Sequence, residues 1–196
     1  MSRALRVLSY NIHKGVSYIQ RQQILERIKE LIREVRADVV FLQEIHGPGR
    51  LGLHHLQGVE EFSSQLEYLA DSVWPHFAYG KNAIYEDGNH GNAILSKFPI
   101  HQWSNLDIST NAFEKRGLLH VSVVHPVYKD LHLVCLHLNL LSGGRNLQFD
   151  RLVDKISRDL PEGPLVMAGD FNDWHLGARK RIQKPLRLQE AFHSLS

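Results

Sequence analysis

A short strand, one amphipathic helix and a second, fully apolar strand follow one another near the start of the chain, and this order restricts the fold more than any other feature. Leu5 to Tyr10 is a mostly apolar run that reads as a strand. Residues 20–35 place Ile24, Ile28, Leu31, Ile32 and Val35 at helical spacing, which predicts a helix burying one face. Val39-Val40-Phe41-Leu42 then forms a compact run, β-branched at its start, suited to a strand buried on both sides. A helix joining two strands of one sheet crosses over right-handedly, so the two strands are expected to run parallel with the helix packed on the sheet.

The rest of the chain extends this pattern. Gly47 to Gly58, rich in glycine and histidine, reads as a loop. Residues 60–71 suit a second helix with Phe62, Leu66 and Leu69 inward. Shorter strands are expected near Phe77–Lys81, Asn92–Leu95, Leu118–Val124 and Leu131–Asn139. Arg145 to Leu160 carries Phe149, Leu152, Val153, Ile156 and Leu160 on one stripe, and Pro161-Glu162-Gly163-Pro164 stops that helix. Leu165–Ala168 is another buried strand. Many strands and few helices predict two sheets with helices outside, in a single domain spanning residues 1–196.

Polar residues recur where the apolar strands end. Asn11 closes the first strand, Glu44 follows Val39–Gln43, and Asp170 and Asn172 follow Leu165–Gly169. His137 and Asn139 lie near the end of Leu131–Asn139. Rigid strand ends can aim side chains into a shared cleft. A carboxylate next to a buried strand is costly unless it is solvated, paired or bound to metal. Taken singly, Glu44 reads as a structural or surface acid, His137 as a core histidine, and Asp170-Phe171-Asn172 as a turn. Taken together they make an oxygen-rich set that suits Mg²⁺ or Mn²⁺ and phosphate hydrolysis. Zinc fits worse, since the chain has no His-Glu-x-x-His and a single cysteine, Cys135. Gly-x-Ser-x-Gly, Gly-x-Gly-x-x-Gly and the P-loop pattern are all missing.

Composition narrows the partners. A net charge of +2 is too small to argue for nucleic acid by itself. Arg179-Lys180-Arg181, with Lys184 and Arg187, forms a local basic cluster that reads as a track for a nucleic-acid backbone, as a contact for anionic lipid headgroups, or as a solvated surface segment. One cysteine permits no internal disulfide, which points to a reducing, cytoplasmic setting. Met1–Leu5 lacks the apolar run of a signal peptide, and no stretch is apolar for long enough to make a transmembrane helix.

Five segments, in order, resemble one known superfamily: Leu5-Arg6-Val7-Leu8-Ser9-Tyr10-Asn11-Ile12, Asp38–Glu44, Gly91-Asn92-Ala93-Ile94-Leu95-Ser96, Leu136-His137-Leu138 and Gly169-Asp170-Phe171-Asn172. They are similar to the motifs of the endonuclease/exonuclease/phosphatase superfamily of deoxyribonuclease-I-like enzymes. With Asn11-Ile12-His13-Lys14-Gly15, the chain is nearest in flavour to small bacterial hydrolases of that group. The resemblance implies a four-layer α/β sandwich of two packed mixed sheets flanked by helices. It implies that Glu44 and Asn11 ligate Mg²⁺ or Mn²⁺. Asp170 would orient or deprotonate the attacking water, and Asn172 would position phosphate or water. His137 would contact the scissile phosphate and protonate the leaving group, for which an ordinary pKa near ~6.5 is suited. Arg116 would clamp a phosphate, and Asn139 is a further candidate for holding substrate.

The resemblance breaks at the end of the chain. The superfamily closes on a late aspartate and a Ser-Asp-His ending, whereas this chain ends Ala191-Phe192-His193-Ser194-Leu195-Ser196. The expectation is therefore a domain lacking its last strands, with an open sheet edge available for self-association. Two functions compete. One is a metal-dependent hydrolase acting on nucleic acid or on a small or lipid phosphodiester. The other is a binding module that keeps the fold without the terminal catalytic histidine.

Overall fold

Each half of the chain builds a sheet around one parallel strand pair joined by a helix. In the computed structural model, residues 4–12, 18–46, 65–71, 73–85, 88–111, 114–160, 162–173, 177 and 179–191 are described. The first half comprises β1 (Val7–Asn11), α1 (Tyr18–Val35), β2 (Val39–His46), α2 (Gln65–Ala70), β3 (His76–Tyr85) and β4 (Gly88–Ser96). The second comprises β5 (Ile100–Asp107), β6 (Gly117–His125), β7 (Lys129–His137), α3 (Ser142–Asp159) and β8 (Leu165–Asp170). A wide helical turn, Arg179–Gln183, then runs into α4 (Lys184–Leu186).

The first sheet has the order β1-β2-β4-β3 and the second β5-β6-β7-β8. β1 pairs parallel with β2 through α1, and β7 pairs parallel with β8 through α3. The remaining neighbours are antiparallel, so both sheets are mixed. Three apolar clusters follow from the period-two alternation of the strands. Val40, Leu42, Ala93 and Leu95 pack against α1, α2 and the buried Trp74 on one outer face. Val39, Phe41 and Ile94 meet Leu119, Val121, Leu133 and Cys135 between the sheets. Leu118, Val134 and Leu136 meet Phe149, Leu152 and Ile156 of α3 on the other outer face. The result is the helix–sheet–sheet–helix sandwich that the resemblance implied. No helix among the described residues is long and apolar enough to cross a membrane.

Four local expectations need correction. β8 is half-buried along its whole length rather than buried, because it is the edge strand of its sheet. On α1 the buried side chains are Leu25, Ile28 and Ile32, while Leu31 and Val35 are 39% and 38% exposed. The inward face is rotated so that Leu25 replaces Leu31, because Leu25 and Ile32 lie seven residues, two turns, apart with Ile28 between them. β5 is a strand beyond those expected, since it is an edge strand with mostly exposed side chains and no apolar run. Arg179–Leu186 is helical and anchored: Ile182 is buried, Leu186 and Leu188 pack on the α3 cluster, and Arg181 pairs with Asp150 at 2.9 Å. Leu66 and Leu69 are buried as expected, whereas Phe62, the Gly47–Gly58 loop, His13-Lys14-Gly15 and His193 lie outside the described residues.

Candidate active site

Both parallel pairs end at the same margin of the sandwich, and the polar residues at those ends converge. Asn11 is the last residue of β1, His137 the last of β7 and Asp170 the last of β8, and His137 and Asp170 are direct register partners. The Asn11 side-chain amide Nδ2 donates to Asp170 Oδ2 at 2.9 Å, linking one sheet to the other. His137 lies between two carboxylates, its Nδ1 3.7 Å from Glu44 Oε1 and its Nε2 3.7 Å from Asp170 Oδ2.

Glu44 reaches this cluster because β2 breaks its own alternation. Val39 and Phe41 face the second sheet, while Val40 and Leu42 face the helices. Gln43 is again inward, donating from Nε2 to Ser9 Oγ and to Cys135 Sγ, both at 3.4 Å. Strict alternation would send Glu44 toward the helices. Instead the β2–β4 register shifts between Leu42 and Ile45, Glu44 takes a left-handed φ of 58°, and its carboxylate turns toward His137. A bulge inserts one residue and re-aims a side chain in this way. Ile45 then returns to the helix side.

Asp170 is held at both oxygens. Oδ2 accepts from Asn11, and Oδ1 accepts the backbone N–H of Asn172 at 3.0 Å. Asn172, itself at a left-handed φ of 49°, donates from Nδ2 to Leu138 O at 2.8 Å. The turn read from Asp170-Phe171-Asn172 is therefore real and serves to orient the carboxylate.

Arg116 directly precedes β6, at the same margin, and its Nη2 donates to Glu114 Oε1 at 2.7 Å. The Glu114 partner had no sequence signal, since the segment before β6 carries no periodicity. Asn139 stands two residues beyond β7, buried and already engaged: its Nδ2 donates to Thr110 Oγ1 and its Oδ1 accepts from Gln148 Nε2, both at 2.8 Å.

The electrostatics change one expectation. Burial, reinforced by the positive charge of Arg116, pushes the pKa of His137 down to about 4 despite the nearby Asp170, Glu44 and Glu114. The ordinary value near ~6.5, on which its role as a proton donor rested, is not retained. With that pKa the His137 imidazole carries no charge at neutral pH.

The donor set also bears on the metal. Glu44 and Asn11 bring oxygen atoms from the ends of adjacent parallel strands. Among the described residues, no group of three or more His, Cys, Asp or Glu side chains could hold a metal ion. One carboxylate with an amide fits a hard, largely hydrated cation and does not fit the closed cage of a structural zinc.

Residues 8–193 match the family model described as Endonuclease/Exonuclease/phosphatase family. The chain is 40% identical over 194 residues to the uncharacterized protein YbhP of Escherichia coli strain K12, covering 98% of this chain and 74% of that protein. An endonuclease/exonuclease/phosphatase structure from Beutenbergia cavernae is similar with a TM-score of 0.66 and 24% identity, over 86% of this chain and 47% of the other. The chain thus spans about half the length of that relative. TDP2 from D. rerio, solved with a single-strand DNA product, is similar with a TM-score of 0.66 and 21% identity, over 90% of this chain and 64% of its own.

Proposed function

Because this chain belongs to the endonuclease/exonuclease/phosphatase family, we propose that it hydrolyses phosphate esters using a water nucleophile and a Mg²⁺ or Mn²⁺ ion. The observation that carries this reading is the junction of the two sheets, where Asn11, Asp170, His137 and Glu44 meet. Glu44 and Asn11 hold the ion, which when bound supplies positive charge against the phosphate oxygens. Asp170, fixed at both oxygens, orients the attacking water and takes its proton as the new P–O bond forms; the P–O bond to the ester oxygen breaks, and the departing oxyanion is protonated from solvent. Neutral His137 gives a hydrogen bond to a phosphate oxygen, and Arg116 offers the charged one. Asn172 keeps the Asp170 turn closed. Asn139, buried with both ends of its amide engaged, acts on substrate by shaping the loop after β7.

The substrate class covers a small or lipid-linked phosphodiester and nucleic acid. A panel of bis-p-nitrophenyl phosphate, lipid phosphodiesters and plasmid DNA, with p-nitrophenyl acetate as the control, tests it. Metal-dependent turnover of a phosphodiester that vanishes in Glu44→Gln is expected. Metal-independent turnover of the acetate alone overturns the reading, and metal binding without any turnover favours a binding module instead. A second copy would pair along β1 or β8, the sheet edges nearest the site, and sedimentation velocity reads whether such a dimer forms.

A further inference from the structure

The buried stripe of α3 is apolar at Phe149, Leu152 and Ile156, but its first turns bury two polar residues, Arg145 and Gln148. Both are below 5% exposed. A guanidinium there must give up its hydration, and an apolar side chain would pack the helix as well. Neither residue serves the core, and both face the loops that carry the site.

Gln148 joins two of these loops. Its Oε1 accepts the Asn139 backbone N–H at 2.8 Å, while its Nε2 donates to Asn139 Oδ1 at 2.8 Å and to Ile108 O at 3.3 Å. Ile108 begins the segment that leads to Arg116, and Ile108 N donates to Arg116 O at 3.0 Å. Arg145 joins the loop after β7 to the loop after β8. Its Nη1 donates to Leu140 O at 2.7 Å and to Asn139 O at 3.3 Å, and its Nε lies 3.9 Å from Asp173 Oδ1. Asp173 directly follows Asn172, whose amide closes on Leu138 O. Hydrogen bonds from two side chains thus tie the loops after β5 and β7 to one helix end, and the loop after β8 meets it through the longer Arg145–Asp173 ion pair.

We infer that Arg145 and Gln148 are positioning residues that set the distance of Arg116 and Asn172 from the Asp170–His137 pair. The inference rests on the phosphoesterase reading for its effect on rate, but not for its effect on the loops. Loop groups displaced by about 1 Å lose large factors in rate, and supporting residues behind a site typically contribute about 10–100-fold.

The test uses the full chain with Gln148→Met and Arg145→Met, with Arg145→Lys as the conservative partner. Arg145→Lys keeps the charge. Amide exchange at Asn172, which neither side chain touches, is the first readout. It should speed up at least about 10-fold in the Met variants at unchanged circular dichroism and recover in Arg145→Lys. On bis-p-nitrophenyl phosphate with Mn²⁺, kcat should fall about 10–100-fold with KM nearly constant, and recover in part in Arg145→Lys. Unchanged exchange at Asn172 in both folded Met variants, or a kcat loss that only tracks the folded fraction, overturns the inference. If the wild type turns over no phosphodiester, the functional reading fails by itself, and exchange at Asn172 decides the positioning role.

Discussion

Asn11 and Asp170 are 159 residues apart in sequence and joined by a 2.9 Å hydrogen bond that closes the seam between the two sheets. Each terminates a sheet-edge strand, β1 or β8. The bond matters because the carboxylate accepts from a neutral amide. Asn11→Asp would place two carboxylates in contact, whereas Asn11→Ala would only remove the donor. In EDTA at neutral pH, the Asp variant should be less stable than the Ala variant by about 1–2 kcal/mol. The repelled pair gains a proton in the folded state more readily than in the unfolded state, so the gap should close as pH falls. Mn²⁺ should also narrow it. Thermal melts of both variants across pH check this, and a gap constant with pH would contradict it.

Glu44 holds a left-handed backbone conformation that a residue with a β-carbon adopts at a cost of about 1 kcal/mol. Glu44→Ala loses the carboxylate and keeps the strain, while Glu44→Gly loses both. The Gly variant should therefore be more stable than the Ala variant by roughly 1 kcal/mol, although neither binds Mn²⁺ measurably. Urea denaturation compares the stabilities and calorimetry the metal binding. Equal stabilities would mean that the bulge does not strain the backbone, and retained binding would remove Glu44 as a ligand.

The bulge also marks how far the site could be read beforehand. Asn11, Glu44, His137 and Asp170 stood out because each is polar at the end of an apolar run, and the structure brings all four together. Alternation alone would have put Glu44 on the wrong face, and only the β2–β4 register reveals the correction. Gln148 and Arg145 sit on a buried helical stripe, where a polar residue gives no hint of which loop it meets. β5 escaped notice because an edge strand needs no apolar face of its own. On α1 the stripe Ile24, Ile28, Leu31, Ile32 and Val35 shares Ile28 and Ile32 with the buried face, and the sheet selects Leu25 beside them in place of Leu31 and Val35.

Two histidines on β6 and β7 should make the fold acid-sensitive. His120 Nε2 and His132 Nδ1 are 3.0 Å apart. Burial, then the neighbouring His132, pushes His120 down to about 4, and burial lowers His132 against the opposing charge of Asp130. Groups with depressed folded pKa values bind fewer protons in the native than in the unfolded state between about 4 and about 6.5. Their stabilisation is therefore complete above about pH 6.5 and is lost as pH falls toward 4. The urea midpoint should be flat above that range and decline below it. His120→Gln, which stays neutral, should flatten part of the decline, and an unchanged slope would show that the pair does not control it.

Gly169 precedes Asp170 on β8 and fixes how closely that strand approaches β7. It is the register partner of Leu136 in the parallel β7–β8 pair and adopts φ of 147°, in the region that favours glycine. A β-carbon there would lie 2.0 Å from Leu136 O, which is backbone and has no flexible end to swing aside. Gly169→Ala can be accommodated only if β8 moves away from β7 next to the His137–Asp170 partnership. The expected cost is on the order of 3 kcal/mol or more, above that of an ordinary point substitution. In whatever fraction stays folded, the Asn11–Asp170 bond should be broken, so Mn²⁺ affinity and phosphodiester turnover should fall beyond the loss of folded protein. Denaturation midpoints with calorimetry on the folded fraction separate the two effects. An alanine variant with the wild-type midpoint and wild-type metal affinity would show that β8 tolerates the shift and that Asp170 is held in place from elsewhere.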